Sequence, residues 1–100
     1  MTVKINKRYY TIKFDTLEEE RNIGLTLCKL GEIRLANDID KDLLYSTLIH
    51  ELVHAYLFEY GMPRETYSQE DMCNFFGAYG KDIMASAELI YNHYQGNKGR

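Results

Sequence analysis

The sequence predicts an α+β fold, a small N-terminal antiparallel or mixed β-sheet packed on two long helices. Three observations carry this expectation. The first third holds short runs rich in β-branched and aromatic residues, bounded by polar and glycine-containing segments. The remainder holds two stretches with helical spacing of apolar residues, 41–60 and 69–94. Gly61 and Pro63 lie between the two and separate them. With 100 residues there is room for one domain, 1–100, and a modest core.

Each element has its own signature. Val3 and Ile5 suit a short first strand that turns at Asn6-Lys7. In Tyr9-Tyr10-Thr11-Ile12-Lys13-Phe14, the side chains of Tyr10, Ile12 and Phe14 share one face of a second strand. Asp15 to Asn22 is a charged stretch, suited to a short helix or a solvated loop. Leu25-Thr26-Leu27-Cys28-Lys29 and Glu32-Ile33-Arg34-Leu35-Ala36 alternate, with Gly31 at the turn between them. This reads as a hairpin with Leu25, Leu27, Ile33 and Leu35 facing the core. Asn37-Asp38-Ile39-Asp40 supplies capping chemistry for a helix over 41–60 that stops at Gly61. Ser68 caps a last helix over 69–94, and 96–100 reads as a frayed tail.

Composition excludes several classes. A chain with 45% hydrophobic and 27% charged residues is globular rather than disordered. A net charge of -3 offers no electrostatic footprint for nucleic acid. No apolar run reaches the roughly 18 residues that cross a bilayer, so no membrane partner is expected. The N-terminal residues carry no signal-peptide apolar region, which points to the cytoplasm. Cys28 and Cys73 form no Cys-x-x-Cys pair and read as buried free thiols.

The most informative segment is His50-Glu51-Leu52-Val53-His54. On a helix, His50 and His54 are one turn apart and project from one face. Two imidazoles at that spacing can hold one Zn²⁺. Glu51 then lies beside the metal, close enough to take a proton from the attacking water. Two of the three histidines of the chain sit at this spacing in an apolar stretch. A metal would give them a partner there.

A catalytic zinc needs three protein ligands and an open position. No histidine follows His54 until His93, which excludes the short histidine extension of metzincins. A carboxylate is the better source. Glu59 points off the ligand face, Glu65 lies in the connecting loop, and Asp82 and Glu88 are farther along the last helix. Glu70 and Asp71, at the start of that helix, both remain candidates.

The segment Glu70-Asp71-Met72-Cys73-Asn74-Phe75-Phe76-Gly77 resembles a known family. Zinc peptidases with a glutamate third ligand, the gluzincins, carry a small residue three positions after that glutamate and Asp or Asn at four. The ImmA/IrrE-like metallopeptidases of bacteria and phages are similar, with Glu-x-x-Ala-Asp/Asn-x-Phe-Ala. The resemblance spans roughly residues 9–85 and includes the order of elements. It implies a zincin-like fold with Glu70 as the third zinc ligand. It also implies Asn74 as the group that hydrogen-bonds a ligand histidine. Cys73 stands where the family has Ala or Ser, and Asn74 where Asp is commoner. In size the chain is nearer the minigluzincins.

The function so implied is a zinc-dependent peptidase with His50, His54 and Glu70 on the metal and Glu51 as general base. Its partner would be a peptide or protein substrate, held by strand addition to an exposed edge at Glu32–Ala36. A phage or mobile-element repressor is the kind of substrate the resemblance suggests. Restricted or latent activity is expected, the tail 95–100 being one means of obstruction. The alternative is a catalytically weak zinc-binding module with a regulatory or interaction role.

Overall fold

A computed structural model describes residues 1–16, 23–62 and 66–98; side chains are described as far as Gln95. Pro63, Glu65 and the acidic stretch 17–22 lie outside the described residues. Four strands, β1 (Thr2–Ile5), β2 (Arg8–Asp15), β3 (Gly24–Leu27) and β4 (Glu32–Ala36), precede two helices, α1 (Lys41–Glu59) and α2 (Gln69–Lys98). This is the expected small α+β architecture.

The sheet is mixed, in the order β1-β2-β4-β3. β1 and β2 form an antiparallel hairpin, and Asn6 takes its turn with φ 60. Asn is among the few non-glycine residues that accept that left-handed position. β4 pairs parallel with β2, and β3 pairs antiparallel with β4 on the outside. The strand just before α1 is therefore interior, and β1 and β3 are the edges, β3 being the one beside β4. The expected edge at Glu32–Ala36 is corrected accordingly.

A second correction concerns register. The turn between β3 and β4 places Leu27 opposite Glu32 and Thr26 opposite Ile33. Directly opposed residues share a face, so Gly24 and Thr26, not Leu25 and Leu27, lie on the helix side with Ile33 and Leu35. Leu25 is exposed and Leu27 half-buried, whereas Ile33 and Leu35 are fully buried. The one-residue slip arises because Cys28, Lys29, Leu30 and Gly31 all belong to the turn, with Gly31 at φ 68.

The core lies between one sheet face and the helices. Val3, Ile5, Tyr10, Ile12, Ile33 and Leu35 meet Leu44, Leu48, Leu52 and Ala55 of α1. From α2, Phe75, Ile83, Ala87, Ile90 and Tyr94 complete it.

The helix ends follow their sequence signals. The Asp40 carboxylate accepts from the Asp42 amide at 3.2 Å. At the other end Gly61, with φ 72, lets the Met62 and Gly61 amides bond back to the carbonyls of Leu57 (2.8 Å) and Phe58 (3.2 Å). This is a Schellman closure, and it requires the left-handed residue that glycine supplies. α2 continues as helix to Lys98, so the expected frayed tail is helical that far. Among the described residues no helix is long and apolar enough to cross a membrane.

Candidate functional site

α1 carries its motif at the boundary between core and solvent. Leu44, Leu48, Leu52 and Ala55 point into the core, which turns His50 and His54 outward. Both imidazoles are exposed, the His50 side chain by 68%. The cost of burying an unpaired imidazole is therefore not what recommends a metal here. Geometry is. The two ring centroids lie 4.9 Å apart with an interplanar angle of 73°. Two rings sharing one tetrahedral zinc at Zn–N of about 2.0–2.1 Å have centroids about 5 Å apart. The spacing of the rings is compatible with a shared ion.

Glu51 is buried to 7% exposure beneath the edge strand. The Thr26 hydroxyl of β3 donates to its Oε1 at 2.7 Å, with the Glu51 carbonyl oxygen 3.1 Å from the same hydroxyl. Oε2 lies 4.0 Å from His50 Nε2. The general-base candidate thus reaches the imidazole pair from the core side.

These groups floor an open cleft of about 510 Å³. Gly24, Leu25, Thr26 and Cys28 form one wall, and Leu57, Phe58 and Tyr67 the other. A cleft of that size accommodates a short segment of a ligand. Leu25 and Phe58 are among the exposed large apolar side chains of the protein.

The remaining sequence candidates fall elsewhere. Glu70, in the first turn of α2, and Asn74, one turn on, are exposed and do not line the cleft. Tyr67, three residues before Glu70 and just ahead of α2, does line it. Among the described residues no three His, Cys, Asp or Glu side chains are grouped to hold a metal. Glu59 is off the ligand face, as expected. Its carboxylate accepts from the Tyr10 hydroxyl at 2.6 Å and from Arg8 at 3.3 Å. His93 is exposed on α2, outside the cleft lining.

Both cysteines are free, but neither is fully buried: Cys28 is half-buried and Cys73 exposed. Burial, ahead of the surrounding charges, pushes the Cys28 thiol up from its usual range. Of the tyrosines, Tyr60 stacks on Tyr56 and Tyr79, and Tyr79 meets Phe75 at a tilt, the packing role expected of most. Tyr67 alone of the nine faces the cleft. Gly24 and Thr26 are the site residues that sequence reasoning missed. Their signal was the true register of the hairpin.

Comparison with known proteins finds no matching family model, no matching curated protein and no matching solved structure.

Proposed function

We propose that the chain is a zinc-dependent peptidase of restricted activity, acting in the cytoplasm on a peptide or protein substrate. One observation carries the reading. A buried carboxylate, Glu51, sits under two exposed imidazoles whose spacing suits one zinc, in a cleft bordered by an open sheet edge. A purely structural zinc site needs ligands only and has no use for that carboxylate. The free thiols suit a reducing compartment.

In this reading His50 and His54 hold the zinc, and Glu70 completes the set from the first turn of α2. Its exposed carboxylate lies three residues along the chain from Tyr67, which lines the cleft. When bound, zinc supplies Lewis acidity toward the attacking water and the substrate carbonyl. Glu51 takes the proton of the water and later passes it to the leaving amine. The substrate adds as a strand to β3, whose outer edge has no strand partner among the described residues.

Elemental analysis and peptide hydrolysis test the proposal together. Protein purified without added metal should carry about one zinc per chain. Glu51→Gln should keep that zinc and lose hydrolysis. Absence of zinc binding on titration would sink the site. Zinc retained with hydrolysis equal in wild type and Glu51→Gln would instead indicate a zinc-binding regulatory module.

A further inference from the structure

Resting on the peptidase reading, we infer that Thr26, with Gly24 beside it, is the positioning element for Glu51, and that Glu51 Oε2 is the atom that takes the proton. A glutamate side chain has three rotatable bonds, and a base that wanders loses most of its advantage. Two contacts from β3 hold this one. The Thr26 hydroxyl donates to Oε1 at 2.7 Å, a charge-assisted bond that fixes one oxygen. Gly24 lets the strand lie directly on the side chain. A Cβ there would stand 3.0 Å from both Cγ and Oε2 of Glu51 and 2.8 Å from Thr47 Cγ2. Thr47 is buried and β-branched, so it has little freedom to yield.

The division of labour between the two oxygens follows. Oε1 is occupied by the Thr26 proton. Oε2 is the oxygen turned toward His50, with Nε2 4.0 Å away. Water gives its proton to Oε2, which becomes a carboxylic acid hydroxyl. That proton then leaves Oε2 for the amine nitrogen as the peptide bond breaks, and the carboxylate is restored. Thr26 keeps its own proton throughout. Its hydroxyl acts through Glu51, to which it donates.

Two measurements test this on the full chain. The first uses the metal-free protein and NMR. Wild type and Thr26→Ser should show cross-relaxation between the Gly24 α-protons and the Glu51 γ-protons. Thr26→Val, which keeps the β-branched shape, should lose it with the backbone spectrum otherwise unchanged. Thr26→Ala is the second hydroxyl-free variant should the valine fail to fold. The second measurement uses zinc-loaded protein and a cleaved member of an internally quenched peptide library. Thr26→Val should lower kcat about 10–100-fold, in the range for groups that orient a catalytic residue. KM and zinc content should stay unchanged, and Thr26→Ser should recover most of the rate. Full retention of kcat or of the cross-relaxation in the hydroxyl-free variants overturns the inference. So does a serine variant that fails to recover. If instead Glu51→Gln cleaves as fast as wild type, the peptidase reading has failed, and the NMR result still decides whether Thr26 holds Glu51.

Discussion

Ser68 and Asp71 cap α2 reciprocally: the Ser68 hydroxyl accepts from the Asp71 amide at 3.0 Å, and the Asp71 carboxylate accepts from the Ser68 amide at 3.1 Å. This capping box gives Asp71 a structural task and separates it from its neighbour Glu70. Asp71→Ala should destabilise the protein by about 1 kcal/mol and leave zinc binding intact. Glu70→Ala should do the reverse, barely changing the metal-free protein and removing most of the stabilisation that zinc confers. Melting curves with and without zinc decide between them. Loss of zinc in the Asp71 variant with retention in the Glu70 variant would reject Glu70 as the ligand.

At the C-terminal end of α1, Tyr10 ties the sheet to the helix. Its hydroxyl, on a fully buried ring, donates to Glu59, which also meets Arg8. Tyr10→Phe should cost about 1–3 kcal/mol by removing a bond to a charged group. Burial first, then the bond to Glu59, pushes the Tyr10 phenol well above its ordinary value. The folded state therefore holds this proton more tightly than the unfolded chain. The contribution is fully present below the unfolded value of about 10 and falls as pH rises beyond it. Urea unfolding of both proteins should give a constant difference up to about pH 9 and a shrinking one above about pH 10. The other tyrosines are common to both and cancel. A gap that widened above that pH would contradict the assignment.

Local signals made much of this architecture legible in the sequence. Asp40, Ser68 and Gly61 bound the helices, and Asn6 turns the first hairpin, because each acts through its own backbone or its next few neighbours. That His50 and His54 share one face followed from helical periodicity alone, but their exposure did not, because the surrounding run is apolar in sequence. What escaped depends on pairing across space. The β3–β4 register turns on how many residues the loop consumes, and Gly31 at the loop's end suggested a tighter one. One residue of slip exchanged Leu25 for Thr26 on the helix side and hid the contact with Glu51. The place of β4 in the middle of the sheet was equally invisible. It depends on β4 pairing in parallel with β2, and no local residue pattern specifies that neighbour.

The two thiols should differ in reactivity. Cys73 is exposed on α2, whereas Cys28 is half-buried in the cleft wall, its thiol pushed up by burial and placed 3.9 Å from the His54 carbonyl oxygen. Since the thiolate is the nucleophile, limiting iodoacetamide should label Cys73 about tenfold faster than Cys28 at mildly alkaline pH. Peptide mass mapping reads the ratio. Faster labelling of Cys28 would mean that the β3–β4 turn opens readily and that the cleft wall is not as closed as described.

Obstruction of the cleft by the C-terminal end of the chain is the remaining account of restricted activity, and the packing of α2 argues against it. Tyr94 is buried and stacks on Phe14 of β2, with ring centroids 4.5 Å apart. Tyr91 meets Tyr45 in the second turn of α1 at 5.3 Å, and Ile90 is fully buried. These contacts anchor the end of α2 beside β2 and the start of α1. Among the described residues the cleft is lined instead by β3 and the turn after it, the later turns of α1 and Tyr67, with none from α2. Removing residues 95–100 should therefore leave peptide hydrolysis within about twofold of the full chain, since Tyr94 and the contacts before it remain. Truncation one residue further, which deletes Tyr94, should cost about 3 kcal/mol of stability through the lost aromatic packing. A severalfold gain in hydrolysis from removing 95–100 would restore the blocking tail. Unchanged rates would leave the demand for an extended strand along β3 as the source of selectivity.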